Sequence, residues 1–187
     1  MSVYFVSDFH LGHRSIIEHG NKSGALPRGA TRTPDEHDEW VIEQLLSVKP
    51  TKRTVWWILG DVAMDITKLP LLDRIPGNKR LILGNHDLFQ IGVYAKYFDA
   101  IYGGFKKYNM WITHMPMHPT ELWDKPNIHG HTHYNTVASD LRYLNASIEW
   151  LPDQMPIELQ EVRAIFDHRN TSYNCAVNPK DPFKGKP

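Results

Sequence analysis

The chain has one cysteine, Cys175. That excludes an intrachain disulfide and a zinc site built on several thiolates. It has no charge imbalance either, since 21 Lys and Arg meet 21 Asp and Glu. Strong non-specific nucleic-acid binding is not expected from such a balance, although a local basic groove would not show in the sum. No apolar run approaches the roughly 20 residues that cross a bilayer, so no membrane partner is expected. The first residues carry neither a basic region nor a long apolar stretch, and a cytoplasmic protein without a secretory signal is the expectation. Repeats and low-complexity blocks are missing too. What remains is an ordinary globular composition, 41% hydrophobic and 22% charged over 187 residues, suited to one domain. The unusual count is histidine, with 11. Histidine is the commonest neutral metal ligand and proton carrier near neutral pH.

Short apolar runs rich in β-branched and aromatic residues recur at Val3–Val6, Val55–Leu59, Leu81–Leu83 and Trp111–Thr113. Their length and composition predict buried strands. A helix is predicted from Pro34, with Thr33 as its cap and Glu36 closing a capping box. Trp40, Val41, Leu45 and Val48 follow near helical spacing, and Lys49-Pro50 ends the segment. Weaker helices are predicted over 67–75 and 157–167. Residues 20–32 are polar, Gly-rich and aperiodic, and read as a loop over a site. Residues 1–168 are expected to form a single domain, and 169–187 a polar, loosely held tail. Strands alternating with helices imply an α/β or mixed layered fold.

The residues that follow the apolar runs share a character. Val3–Val6 leads to Asp8 and His10, Val55–Leu59 to Gly60-Asp61, and Leu81–Leu83 to Gly84-Asn85-His86-Asp87. Trp111–Thr113 leads to His114, and Ile128 precedes His129-Gly130-His131-Thr132-His133. In open α/β sheets the C-terminal ends of strands form the edge where ligands bind. Asp8, His10, Asp61, Asn85, His114, His131 and His133 together offer nitrogen and oxygen donors without a thiolate. If one carboxylate bridges, these residues supply four contacts to each of two ions and leave positions open. Mixed imidazole and carboxylate donors suit Mn²⁺, Fe or Zn²⁺ better than Ca²⁺ or Mg²⁺. A neutral Asn lowers the negative charge that an anionic phosphate would meet. Taken singly these motifs have ordinary readings: Gly60-Asp61 as a turn and cap, Asn85-His86-Asp87 as an Asx-turn. Their repetition at five strand ends is what points to a site.

In this order Asp8-x-His10, Gly60-Asp61, Gly84-Asn85-His86-Asp87, His114 and Gly130-His131-x-His133 resemble the signature of calcineurin-like metallophosphoesterases. Asp8-Phe9-His10-Leu11-Gly12-His13 with Ile16-Ile17, and Asn145-Ala146-Ser147-Ile148-Glu149 before Pro156-Ile157, resemble the small bacterial, archaeal and phage branch. The resemblance implies an α/β (α+β layered) four-layer αββα sandwich with two mixed sheets. It implies two divalent ions per chain, Mn²⁺ ahead of Fe, Zn²⁺ or Ni²⁺. Asp8, His10, Asp61 and His133 would hold one ion, and Asp61, Asn85, His114 and His131 the other, with Asp61 as the bridge. His86 would face the substrate, Asp87 would orient His86, and a hydroxide held between the ions would attack phosphorus.

The substrate expected on that basis is a phosphate ester, a nucleotide or other small phosphodiester before a phosphomonoester. A non-catalytic metal-binding scaffold of the same fold is the alternative of another class. Asn85, His86, His13, His118 and Arg14 are candidates for touching the substrate, and Arg28 and Arg32 for gripping a phosphate. Trp123, between polar loops, is a candidate for stacking on a base. His129 reads as a buried strand residue, and His19, His37 and His168 as structural or exposed.

Overall fold

Val3–Val6 forms the first strand, β1, and every other chemical feature of the chain is placed by reference to it. The structure, a computed structural model, describes residues 1–16, 28, 33–135, 137 and 140–176. The loop expected at 20–32 therefore lies outside the described residues except for Arg28, as does the end of the chain. The remaining strands are β2 (Val55–Ile58), β3 (Asn78–Ile82), β4 (Ala100–Tyr102), β5 (Phe105–Lys107), β6 (Met110–Ile112), β7 (Asn127–His129), β8 (Tyr143–Asn145) and β9 (Ile157–Glu158). They make two mixed sheets, ordered β4-β3-β2-β1-β9 and β5-β6-β7-β8. The protein is thus an α/β fold with two mixed sheets.

Register decides what leaves the sheets together. β1 and β2 are parallel, with Val3 opposite Val55 and Val6 opposite Ile58. Both strands therefore end at one level, and the ladder runs on past them: the Asp8 amide donates to the Gly60 carbonyl at 3.0 Å and that of His10 to Asp61 at 2.9 Å. β3 is parallel to β2, with Leu81 opposite Ile58. In the second sheet β6, β7 and β8 are parallel, and Ile128 lies between Ile112 and Leu144. The Gly130 amide donates to the His114 carbonyl at 2.9 Å just beyond them. The two sheets meet where Ser7 bridges Ser147 and where the Ile148 amide reaches the Ser7 carbonyl at 3.1 Å. β2 is buried at all four positions because both faces of its sheet are covered, so apolar residues run without alternation.

The helix α1 spans Pro34–Ser47 and starts as the sequence predicts. The Thr33 hydroxyl accepts from the Glu36 amide, and the Glu36 carboxylate accepts from the Thr33 amide. Trp40, Val41, Ile42 and Leu45 face the core. The segment predicted over 67–75 is a 3₁₀ helix, Ile66–Arg74, with Pro70 inside it. Proline removes an amide donor and crowds the preceding turn, which blocks a regular α-helical ladder. A short helix α2 covers Ile91–Tyr94. The helix predicted over 157–167 departs from expectation at both ends. Ile157 and Glu158 pair with Phe5 and Tyr4 as β9, because Ile157 is buried against the edge of β1. The helix α3 then runs Leu159–Ala176, into the segment expected to be a tail. Arg169 ties it to the second sheet by donating to the Tyr143 carbonyl at 2.7 Å. Among the described residues no helix is long and apolar enough to cross a membrane.

Candidate metal centre

The backbone turns sharply at the strand ends, and it does so at residues with side chains. Asp8, His10, Asp61, His131 and His133 all have positive φ, between 50° and 70°. Left-handed backbone costs an L-residue about 1 kcal/mol or more, and such outliers collect at functional sites. The glycines beside them are required by close approach. A Cβ at Gly84 would run into the Asp61 carboxylate, and one at Gly130 into Ser7 and Asp8.

Two groups of donor atoms result: Asp8, His10 and His133, and Asp61, His114 and His131. Within each the donor atoms lie within 4.8 Å of one another. Asp61 stands between the groups. Its Oδ2 is 3.6 Å from His10 Nε2, and its Oδ1 is 3.5 Å from His114 Nε2. Asn85 joins the second group, with Oδ1 2.9 Å from His114 Nε2 and 2.8 Å from His131 Nδ1. In the first group Asp8 Oδ1 lies 4.0 Å from both His10 Nε2 and His133 Nε2.

Proton positions follow from the fixed acceptors. His114 Nδ1 is 2.6 Å from the Leu59 carbonyl, which can only accept. The proton is therefore on Nδ1, and the Nε2 lone pair faces the oxygens of Asp61 and Asn85. His10 is buried, and neither of its ring nitrogens has a hydrogen-bond partner. Burial, then the charges of Arg28 and neighbouring imidazoles, push its pKa well below the ordinary value, so the ring is a neutral lone-pair donor. Burial pushes the Asp61 pKa up, against the pull of His114 and of the His86 amide. The buried His10 ring nitrogens have no hydrogen-bond partner, a costly state that a cation shared with the neighbouring carboxylates would relieve. The donor set fits a pair of divalent ions.

Behind these donor residues lies a shell of hydrogen bonds. Asp8 accepts from the Ser147 hydroxyl at 2.8 Å and from the His131 amide at 3.0 and 3.1 Å. His133 Nδ1 pairs with Glu149, whose other oxygen accepts from Arg28 at 2.7 Å. Burial alone would lower the His133 pKa, but the Glu149 bond and the Asp8 charge raise it. Burial would raise the Glu149 pKa, and Arg28 and His133 hold it below the usual carboxylate value instead. The Asn145 amide supports the loop by donating to the His133 carbonyl at 2.7 Å.

All of Asp8, His10, Asp61, Asn85, His114, His131 and His133 are brought to this one rim. His86 is exposed at its mouth, its amide donating to Asp61 Oδ1 at 2.9 Å and its ring 5.5 Å from that of His10. Asp87 differs from expectation, since no hydrogen bond links it to the His86 ring. Its oxygens accept from the amides of Asp61, Val62 and Gly84 at 2.8–2.9 Å, which ties two strand ends together. His13 is close, with its ring 5.6 Å from that of His10. His118 is exposed and caps the Pro119–Glu121 turn instead of joining the rim. Arg14 is exposed. Arg28 is not a free phosphate grip, because it is buried against Glu149.

Trp123 is exposed, but it lies where the chain enters β7, at the strand end opposite to His131 and His133. His129 is buried on β7 and His37 on α1, while His168 is exposed. His19 and Arg32 lie outside the described residues. The residues missed as site residues are Ser147 and Glu149, together with Asn145. Their alternation, Asn145-x-Ser147-x-Glu149 beyond a strand, puts three polar side chains on one side and was the available signal.

No family model matches the chain. It is 37% identical over 91 residues to the Gene 66 protein of Mycobacterium phage L5, and 40% over 92 residues to that of Mycobacterium phage D29. Each match covers 46% of this chain and 40% of the relative, so the chain spans about two-fifths of those relatives' length. It is 26% identical over 176 residues to the uncharacterized protein MJ1445 of Methanocaldococcus jannaschii, covering 88% of this chain and 91% of that one. The crystal structure of AQ665 from Aquifex aeolicus, a protein of unknown function, matches with a TM-score of 0.67 at 24% identity. That match covers 88% of this chain and 98% of the other, and at this identity it is a likeness of fold.

Proposed function

We propose that the protein is a dinuclear metal-dependent phosphoesterase of the calcineurin-like type, with the four-layer αββα arrangement of that family. The observation that carries the reading is Asp61, which turns one oxygen to His10 and the other to His114 between two groups of metal-type donors. Two divalent ions held there would supply Lewis acidity to a phosphate ester and lower the pKa of a water molecule. Asp8, His10, Asp61 and His133 would hold one ion, and Asp61, Asn85, His114 and His131 the other, with Mn²⁺ favoured and Fe, Zn²⁺ or Ni²⁺ also suited to the donors.

The chain's own groups then divide the work. His114 presents Nε2 because its Nδ1–H donates to the Leu59 carbonyl. His133 presents Nε2 because Glu149 takes the other nitrogen. His86, on the open side of the rim, would bind the phosphoryl group or give a proton to the leaving oxygen. Asp87 fixes the loop that carries Asn85 and His86. A small phosphodiester such as a nucleotide is the favoured substrate, and a phosphomonoester the second. The full set of donors argues against a scaffold that has lost its chemistry. Metal-free protein given Mn²⁺ should take up two ions per chain and hydrolyse bis(p-nitrophenyl) phosphate faster than p-nitrophenyl phosphate. Less than one ion bound, with neither ester cleaved, contradicts the reading.

A further inference from the structure

The two donor groups are held in place by different means. In the second group each brace has a backbone partner: the Leu59 carbonyl fixes the His114 ring, and the Asp87 carboxylate braces the Asp61 amide at 2.9 Å. In the first group a buried ion pair takes that part. Glu149 gives one oxygen to His133 Nδ1 and the other to the Arg28 guanidinium at 2.7 Å. A carboxylate can only accept from the ring, so His133 carries its proton on Nδ1 and directs the Nε2 lone pair toward Asp8. The same guanidinium donates to the Phe9 carbonyl at 3.1 Å, on the residue between Asp8 and His10. It also lies 3.5 Å from His133 Nδ1. One cation thus braces both segments that supply the first group. The second group draws its hydrogen bonds from elsewhere: Leu59 and Asn85 for His114, the His86 amide for Asp61, and Asn85 for His131.

We infer that Glu149, locked by Arg28, is a positioning residue for the Asp8–His10–His133 group alone, so that the two metal positions are separately tunable. The inference rests on the dinuclear reading. It also explains why Glu149 is buried with a compensating charge, when an uncompensated carboxylate there would be very costly.

The test is a titration of metal-free protein with Mn²⁺ alone, followed by calorimetry and by metal analysis after gel filtration. The wild type should show two sites. Glu149→Gln keeps the shape and can still accept from His133 while losing the charge. It should weaken one site by about 10–100-fold, the usual cost of losing an outer partner of a metal-bound histidine, and leave the other within about twofold. Arg28→Lys keeps a positive charge but cannot span both the Phe9 carbonyl and Glu149, so it should weaken the same single site. It also carries the test should circular dichroism show Glu149→Gln unfolded. Two sites weakened equally, or neither, in the folded variant overturns the inference. A wild type that binds fewer than two ions overturns the dinuclear reading itself, a result separable from the first.

Discussion

His86 and Asp87 are neighbours in sequence that end in different surroundings. The imidazole is exposed at the mouth of the rim, and the carboxylate is buried under three amide hydrogens. The family resemblance implies a catalytic pair, and side-chain spacing cannot show that an Asp turns inward to bind backbone. Their substitutions should therefore differ. His86→Ala should keep both metals and lose most of the turnover, which metal analysis and an ester assay would separate. Asp87→Ala leaves buried donors unmet and should lower stability by about 1–3 kcal/mol in a urea titration. Asn85→Ala should weaken the ion of the second group, whose two rings its carbonyl oxygen approaches. An alternative for the second group also lives at this scale. With the Asn85 amide turned over, its NH₂ would donate to both rings and no cation would be needed there; in that case Asn85→Ala would leave metal affinity unchanged.

At the scale of elements, the strands that deliver the donor residues were legible, because their apolar runs are unbroken and each ends in a polar residue. Val3–Val6 matches β1 residue for residue, and the Thr33 capping box opens α1 as predicted. Thr33→Ala should cost about 1 kcal/mol, read from the urea midpoint. What was not legible depends on partners distant in sequence. Ile157 and Glu158 read as the start of a helix, and only the open edge of β1 makes them a strand. Glu149 looks like any surface acid until Arg28 and His133 close on it across 121 and 16 residues. The division of the strands between two sheets is likewise invisible in their local composition.

The whole molecule gathers several histidines that folding keeps from protonating. Burial holds His10, His37, His129 and His131 below their ordinary value of 6.5, while His133 and Asp61 are shifted upward. As pH falls below 6.5 the unfolded chain takes up protons that the folded chain refuses at the first four, and stability declines. His133 and Asp61 offset part of that loss. Each uncompensated histidine contributes about 1.4 kcal/mol per pH unit. Metal-free protein should therefore unfold at lower urea near about pH 5.5 than near about pH 7.5, and an equal or higher midpoint would contradict the account.

Two ions flanking Asp61 are the centre of the functional reading, and their positions can be seen directly. In crystals of the Mn²⁺-loaded protein an anomalous difference map should show two peaks roughly 3.5–4 Å apart, one on each side of the Asp61 carboxylate. A single peak, or peaks remote from Asp61, would contradict the account.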